Sequence, residues 1–338
     1  MPIEAVRPRY DWLSYNEPEG HLDDVAASLA ALPGVKHDSR IVGVTYKDRS
    51  TLDRMARLGF TGTASLSEDD LEAPVRPFGL ETIQQILSEE SNVSRLKKKY
   101  GDADIVLFRH IVEHSPDAAR LIRSMRGLLA PGGYLVFEVP DSERILRAGN
   151  HAFIWEEHIS YFTSRSLARL AGDVGADLVW LGRYPYPYED SLVGILRFYV
   201  AGQRTGRTSE PEERVSRELD SFAAGLEPSR ERWREKLEAH RAGGRNVAVF
   251  GAGHLSAKFV NFLGIADLID CVVDDHPKKV GLLMPGSHLP IVPSADLSKR
   301  KITVCISTLS PESEIKVKAK LAGFFEAGGK FEPAFSTA

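Results

Sequence analysis

Residues 153–163 gather the groups best suited to moving a proton. The run Phe153-Ile154-Trp155-Glu156-Glu157-His158-Ile159-Ser160-Tyr161-Phe162-Thr163 sets two carboxylates and an imidazole among aromatic rings. Burial by aromatics raises a carboxylate's pKa, and a nearby carboxylate raises that of histidine. His158 with Glu157 therefore reads as a general base with its orienter. The alternative for this run is the exposed start of a helix after a turn. A second polar run, Arg109-His110-Ile111-Val112-Glu113-His114, directly follows the apolar stretch ending at Phe108. Ligands of open α/β sheets gather at the carboxyl ends of strands, so one or more of these groups should face a cleft. Otherwise they form an exposed loop or cap the strand end. Asp141, just past Val139-Pro140, falls at a comparable place.

A third pattern, Gly251-Ala252-Gly253-His254-Leu255-Ser256, lies between the apolar run Val247–Phe250 and a helical stretch. Glycines let a backbone turn tightly beside a phosphate, and a helix N-terminus offers free N–H groups. Asp274-Asp275 follows the next apolar run at the spacing of a ribose-binding acid. Ser256 stands where a third glycine is usual, so a Rossmann-shaped domain that binds no dinucleotide is the competing reading. Lys278 and Lys279, beside Gly281, can steady an anion or be solvated loop charges. The aromatic and acidic segment Tyr10–Asp23, with Tyr15 and Glu17, can line a polar pocket or be a docked arm.

The elements that must hold these groups alternate. Strand-like runs at 41–46, 104–108 and 134–139 are separated by amphipathic stretches, and the pattern resumes at Asn246 with runs at 247–250, 271–273 and 302–307. Strands separated by helices imply right-handed crossovers and a parallel sheet covered on both faces. Between the two patterns, residues 203–245 are rich in Glu and Arg with spaced apolar positions such as Leu219, Phe222, Trp233 and Leu237, which reads as connecting helices with a solvated face. The expectation is an α/β fold of two Rossmann-like three-layer domains joined by a charged helical linker. Its boundaries are an N-terminal arm over 1–37, a first domain over 38–202, the linker over 203–245 and a second domain over 246–338.

Composition narrows the function. The 338 residues carry 43 Lys plus Arg and 47 Asp plus Glu, a net charge of −4, which argues against a dedicated nucleic-acid binder. No apolar run reaches the roughly 18 residues of a membrane span, and the first residues lack the layout of a signal peptide. Two cysteines, Cys271 and Cys305, exclude a disulfide framework and a cysteine-rich zinc site. A cytoplasmic chain without a metal is expected.

Taken in order, the strand-end histidines, Val136-Phe137-Glu138-Val139-Pro140, Glu157-His158-Ile159-Ser160-Tyr161-Phe162, Gly251-Ala252-Gly253, Val272-Val273-Asp274 and Pro285-Gly286 resemble the S-adenosylmethionine-dependent sugar C-methyltransferases. The resemblance covers roughly residues 100–310. It implies a class I methyltransferase-like first domain, S-adenosylmethionine as cofactor and a nucleotide-linked keto-sugar as substrate, with a homodimer as a possible assembly. In that family a base removes the proton beside the sugar ketone, and the enolate carbon attacks the sulfonium methyl. The family's Glu and His map onto Glu157 and His158, with His110 as a further catalytic position. From their places at strand ends and in polar runs, Gly43, Tyr46, Lys47, Glu68, Arg109 and His110 are cofactor candidates, and Tyr15, Glu17, Asp141, Trp155, Tyr161, His254 and Lys278 are substrate candidates, to which the resemblance adds Gly251, Gly253 and Asp274.

Three departures separate this chain from the pattern. It has no counterpart of the family's cysteine-rich N-terminal zinc module. Trp155 stands where the family has tyrosine. The glycine-rich turn after the first strand is reduced to Gly43-Val44-Thr45-Tyr46-Lys47-Asp48, with bulky residues where a ligand should approach the backbone. An enzyme on the same scaffold that enolises, epimerises or eliminates without methyl transfer is the alternative, and a non-catalytic binding protein is the third.

Overall fold

A computed structural model describes residues 19–72, 79–155, 157–187, 189–199 and 212–335. Expected sites Tyr15 and Glu17, and most of the expected N-terminal arm's first half, lie outside the described residues. The chain divides into two compact units. Of the described residues, one unit holds those in 19–144 and 155–212, and the other holds those in 145–154 and 213–335.

The first unit is built on strands β1 (Arg40–Gly43), β2 (Gly62–Ser65), β3 (Ala103–Arg109), β4 (Leu129–Asp141), β5 (Ala176–Tyr184) and β6 (Asp190–Phe198), in the order β2-β1-β3-β4-β6-β5. β2, β1, β3 and β4 are mutually parallel, while β6 runs antiparallel to both β4 and β5. Successive side chains of a strand point to opposite faces, and both faces here are apolar. Ile41, Ile105, Leu107 and Val136 pack on one side with Val25 and Leu29 of the helix Leu22–Ala30 and with Met55 of the helix Arg49–Arg57. Val42, Val106, Phe108 and Phe137 pack on the other with Val93, Leu121 and Leu167 from three further helices. This is the three-layer arrangement expected of continuous Val/Ile/Leu strands.

The second unit carries a five-stranded parallel sheet of β7 (Asn246–Phe250), β8 (Cys271–Val273), β9 (Ile291–Val292), β10 (Ile302–Ser307) and β11 (Lys330–Pro333), ordered β11-β10-β7-β8-β9. The two sheets are therefore not copies, since only the first ends in an antiparallel hairpin. The charged stretch after residue 211 forms the helices Glu212–Ala224 and Leu226–Ala242. The latter is part of the second unit, with Leu237 fully buried. The short segment Ile145–Ile154 also belongs to that unit: the Lys258 ammonium donates to the Ile154 carbonyl, and the Phe153 ring meets Phe335 edge-on at 5.1 Å. Among the described residues, no helix is long and apolar enough to cross a membrane.

Candidate active site

In the first unit the polar groups collect where β1, β3 and β4 end. β3 finishes at Arg109, and the chain then turns through His110, whose φ of 54° is left-handed. Non-glycine residues rarely take that conformation unless their surroundings hold them there. The turn carries Glu113 and His114 inward, so that both are buried.

The loop bearing His158 is tied to this turn by backbone bonds. The Ile159 and Ser160 amides both donate to the Glu113 carbonyl, at 2.8 and 2.9 Å. A second tie closes the loop on itself: the Tyr161 hydroxyl accepts from the Trp155 amide at 2.9 Å and donates to the Trp155 carbonyl at 3.1 Å. Tyr161 thus positions the loop. The half-buried His158 ring meets the His114 ring edge-on, with centroids 4.9 Å apart. Glu113, His114 and His158 each bring a nitrogen or carboxylate oxygen to within 4.8 Å of the others. Glu157, expected to orient His158, is exposed, and the buried carboxylate brought to His158 is Glu113.

Electrostatics favour the charged forms of Glu113 and His114. Burial pushes the Glu113 carboxyl up, but His110, His158 and His114 outweigh it and hold it below the ordinary range. Burial likewise opposes charge on His114, yet Glu81 (3.3 Å from Nδ1) and Glu113 raise its affinity for a proton. The arrangement can take a proton from carbon and share the resulting positive charge with a carboxylate.

Beside it lies a denser network. Arg109, 2% exposed, donates from Nε to Glu138 at 2.5 Å and from Nη1 to the Lys47 carbonyl at 2.9 Å. The other Glu138 oxygen accepts from the Ser191 hydroxyl at 2.6 Å and lies 2.9 Å from His21 Nε2. Burial works against the Glu138 charge, but His110, His21 and Arg109 hold its carboxyl well below the usual range. His110 sits between the two groups, 3.3 Å from Glu113 and 3.4 Å from Glu138.

The loop after β1 is organised from within. Asp48 is fully buried, and its Oδ2 accepts the Val44 and Thr45 amides at 2.8 and 2.7 Å. Its Oδ1 accepts the Arg109 amide at 2.8 Å. Burial still pushes this carboxyl up to about 7. Gly43 is required by packing: an added Cβ would lie 2.8 Å from Leu52 and 2.9 Å from Asp48. Its lack of a side chain accommodates the protein's own loop. Tyr46 is 71% exposed, Lys47 is half-buried, and Glu68 is exposed in the first turn of the helix Glu68–Leu71. Asp141 is buried, with its oxygens on the Glu143 amide at 3.0 Å and on Arg183 at 2.8 Å.

The remaining expected positions belong to the second unit, at the ends of β7 and β8. Gly251 has φ 101°, and an added Cβ would meet Leu309 at 2.9 Å. Gly253 has open space around it and precedes the helix His254–Leu263. Asp274 accepts the Ala252 amide at 2.9 Å and the His276 amide at 2.8 Å, so the acid expected to meet a ribose instead braces the glycine turn. His254 is half-buried and Lys278 exposed. Lys279, rather than Lys278, reaches Asp274, at 3.4 Å.

The sequence reading named Glu113 and His114 as strand-end groups without assigning them to His158, and it gave no role to His21 or Asp48. A histidine and an aspartate among ordinary loop residues carry no periodic signal. His21 meets Glu138 from a distant segment, whereas Asp48 closes a local capping box with Thr45, a Thr-x-x-Asp signal present in the sequence.

Comparison with known proteins agrees with this organisation. Residues 52–181 match the methyltransferase domain family, and residues 206–334 match the family described as the C-methyltransferase C-terminal domain. C-methyltransferase NovU of Streptomyces niveus is 27% identical over 226 residues, covering 63% of this chain and 52% of the relative. The ubiquinone biosynthesis O-methyltransferase of Caulobacter sp. (strain K31) is 34% identical over 118 residues, covering 31% of this chain and 41% of the relative. The chain thus spans about half the length of these relatives or less. Among solved structures, magnesium protoporphyrin IX methyltransferase from Synechocystis PCC 6803 with bound SAH aligns at 12% identity and a TM-score of 0.36, over 53% of this chain and 82% of that one.

An S-adenosyl group would ask these strand ends for a partner to its amino-acid carboxylate. Arg109 Nη2 is buried with no hydrogen-bond partner and is a donor of the right charge. The Val44 and Thr45 amides are already taken by Asp48. The residues suit the group through Arg109, and not through a glycine-rich turn.

Proposed function

We propose that the chain is an S-adenosylmethionine-dependent C-methyltransferase acting on a nucleotide-linked keto-sugar. The matched C-methyltransferase C-terminal family and the relative named C-methyltransferase support the reaction class. The observation that carries the mechanism is the cluster of Glu113, His114 and His158. His158 takes the proton beside the ketone, and Glu113 stabilises the imidazolium that forms. His114, held by Glu81, keeps the His158 ring in place from its edge. Tyr161 and the Glu113 carbonyl hold the loop so that His158 does not have to be ordered during the reaction. Arg109 would hold the carboxylate of the bound cofactor, with Tyr46, Lys47, Glu68 and His110 around it. When bound, S-adenosylmethionine supplies an electrophilic methyl group. Asp141 and Trp155, in the same unit as His158, are further substrate positions.

A second reading, enolisation or epimerisation without methyl transfer, is favoured by one feature. Asp48 takes two amides of the loop where a glycine-rich turn would present them to a ligand. Exchange of the sugar's α-proton in heavy water, followed with and without methyl-labelled S-adenosylmethionine, separates the two. Exchange with label transfer, both lost in His158→Ala, is the outcome for a methyltransferase. Exchange without transfer supports the second reading. Exchange unchanged in His158→Ala removes His158 from either.

A further inference from the structure

We infer that Glu113, His114 and His158 form a binding site for one divalent transition ion of the zinc class. The inference rests on these side chains and not on the substrate or reaction proposed above, and it departs from the expectation of a metal-free chain.

The donor set is two imidazoles and one carboxylate. Imidazole-rich sites favour zinc, cobalt and iron over magnesium or calcium, which prefer all-oxygen surroundings. All three ligand atoms lie within 4.8 Å of one another. A tetrahedral ion with bonds of about 2.0–2.1 Å sets its ligands about 3.4 Å apart, so the widest pair has to close by at most about 1.4 Å. His158 is half-buried, and turning its side chain about its torsions can make that movement with the loop held.

A second observation points to the same place. Glu113 is 1% exposed, and neither carboxylate oxygen has a hydrogen-bond partner. His110 Nδ1 lies 3.3 Å from Oε1. A buried carboxylate is stabilised by the cations that meet it, and an ion would add to what the histidines supply. The surroundings also match a metal site. Glu81 lies 3.3 Å from His114 Nδ1, the outer carboxylate that metal-bound imidazoles commonly carry. The partial exposure of His158 leaves a path for the ion and a fourth position for water or substrate. An ion on His158 would use the lone pair that proton abstraction needs, so metal binding and the base role would exclude each other at that nitrogen.

Cobalt titration of the full chain tests the site without reference to activity. The expected result is one Co2+ per chain with visible d–d absorption, displaced by Zn2+, and affinity reduced at least about tenfold in His158→Ala and in His114→Ala. His37→Ala, remote from the cluster, is the control and should bind as wild type. Because Glu113 is buried, Glu113→Gln is read only alongside its thermal melt, and His158→Ala carries the decision. Absence of the absorption, or affinity unchanged in both histidine variants, overturns the inference.

Discussion

Two strand-end loops of this chain solve one problem in different ways. After β1 and after β7, the loop presents backbone amides where a ligand would normally use them, and in each a carboxylate takes them instead. Asp48 does so from within its own loop, fully buried and joined to the Arg109 amide. Asp274 does so from the end of the neighbouring strand, on the Ala252 amide, with Lys279 near it. The first is part of a closed ionic network with Arg109, Glu138 and His21. The second remains open around Gly253. An internal carboxylate can thus replace an anionic ligand electrostatically, and the extent of burial decides how firmly.

The largest consequence falls on the closed network. Glu138→Ala should cost about 3–5 kcal/mol in denaturant unfolding, because it leaves the buried Arg109 guanidinium without its carboxylate. Asp275→Ala in the second unit, which loses partly exposed bonds to Lys320 and to the Ser294 amide and hydroxyl, should cost less, about 1–2 kcal/mol. Equal losses would remove the distinction between the two loops. Next in size, Asp48→Ala strips the Val44, Thr45 and Arg109 amides of their acceptor and should cost about 1–3 kcal/mol. Asp274→Ala should cost less, and the order of the two melting temperatures checks this.

The same comparison makes a pH prediction. The Asp48 carboxyl titrates at about 7 in the fold against an ordinary 3.8, so folding favours its protonated form. Its contribution is fully present below about pH 4 and is lost as pH rises through 7. Stability measured relative to Asp48→Asn should therefore fall over that window. A flat difference would mean that the carboxyl is ionised throughout.

What the sequence made legible follows from periodicity. Continuous Val/Ile/Leu runs announced β3, β4, β7 and β10, and the glycine turn at Gly251 was visible from its strand-helix context. The antiparallel hairpin of β5 and β6 went unread although β5 alternates and Leu192–Leu196 of β6 is a buried run, since such runs mark a strand but not its direction. The run around His158 stood out through its aromatics and acids. The buried carboxylate of its cluster, Glu113, lies on another loop, and the bonds from the Ile159 and Ser160 amides and the Ser160 hydroxyl join the two loops. Glu157, the adjacent residue, is exposed, and its charge still raises the proton affinity of His114.

The smallest predicted effect falls on the loop that carries His158. Tyr161→Phe removes both bonds to Trp155 and should cost about 1 kcal/mol, read as a modest fall in turnover with the fold retained. No change in turnover would detach Tyr161 from His158 positioning.

The central claim is that Arg109 makes the β1–β3–β4 end a receptor for an S-adenosyl group despite the closed Asp48 loop. Calorimetric titration with S-adenosylhomocysteine tests it most directly. The account predicts saturable binding by the intact chain and a marked loss in Arg109→Lys, which keeps the charge but gives up the planar set of donors. No heat of binding and no rise in melting temperature at millimolar ligand would contradict it.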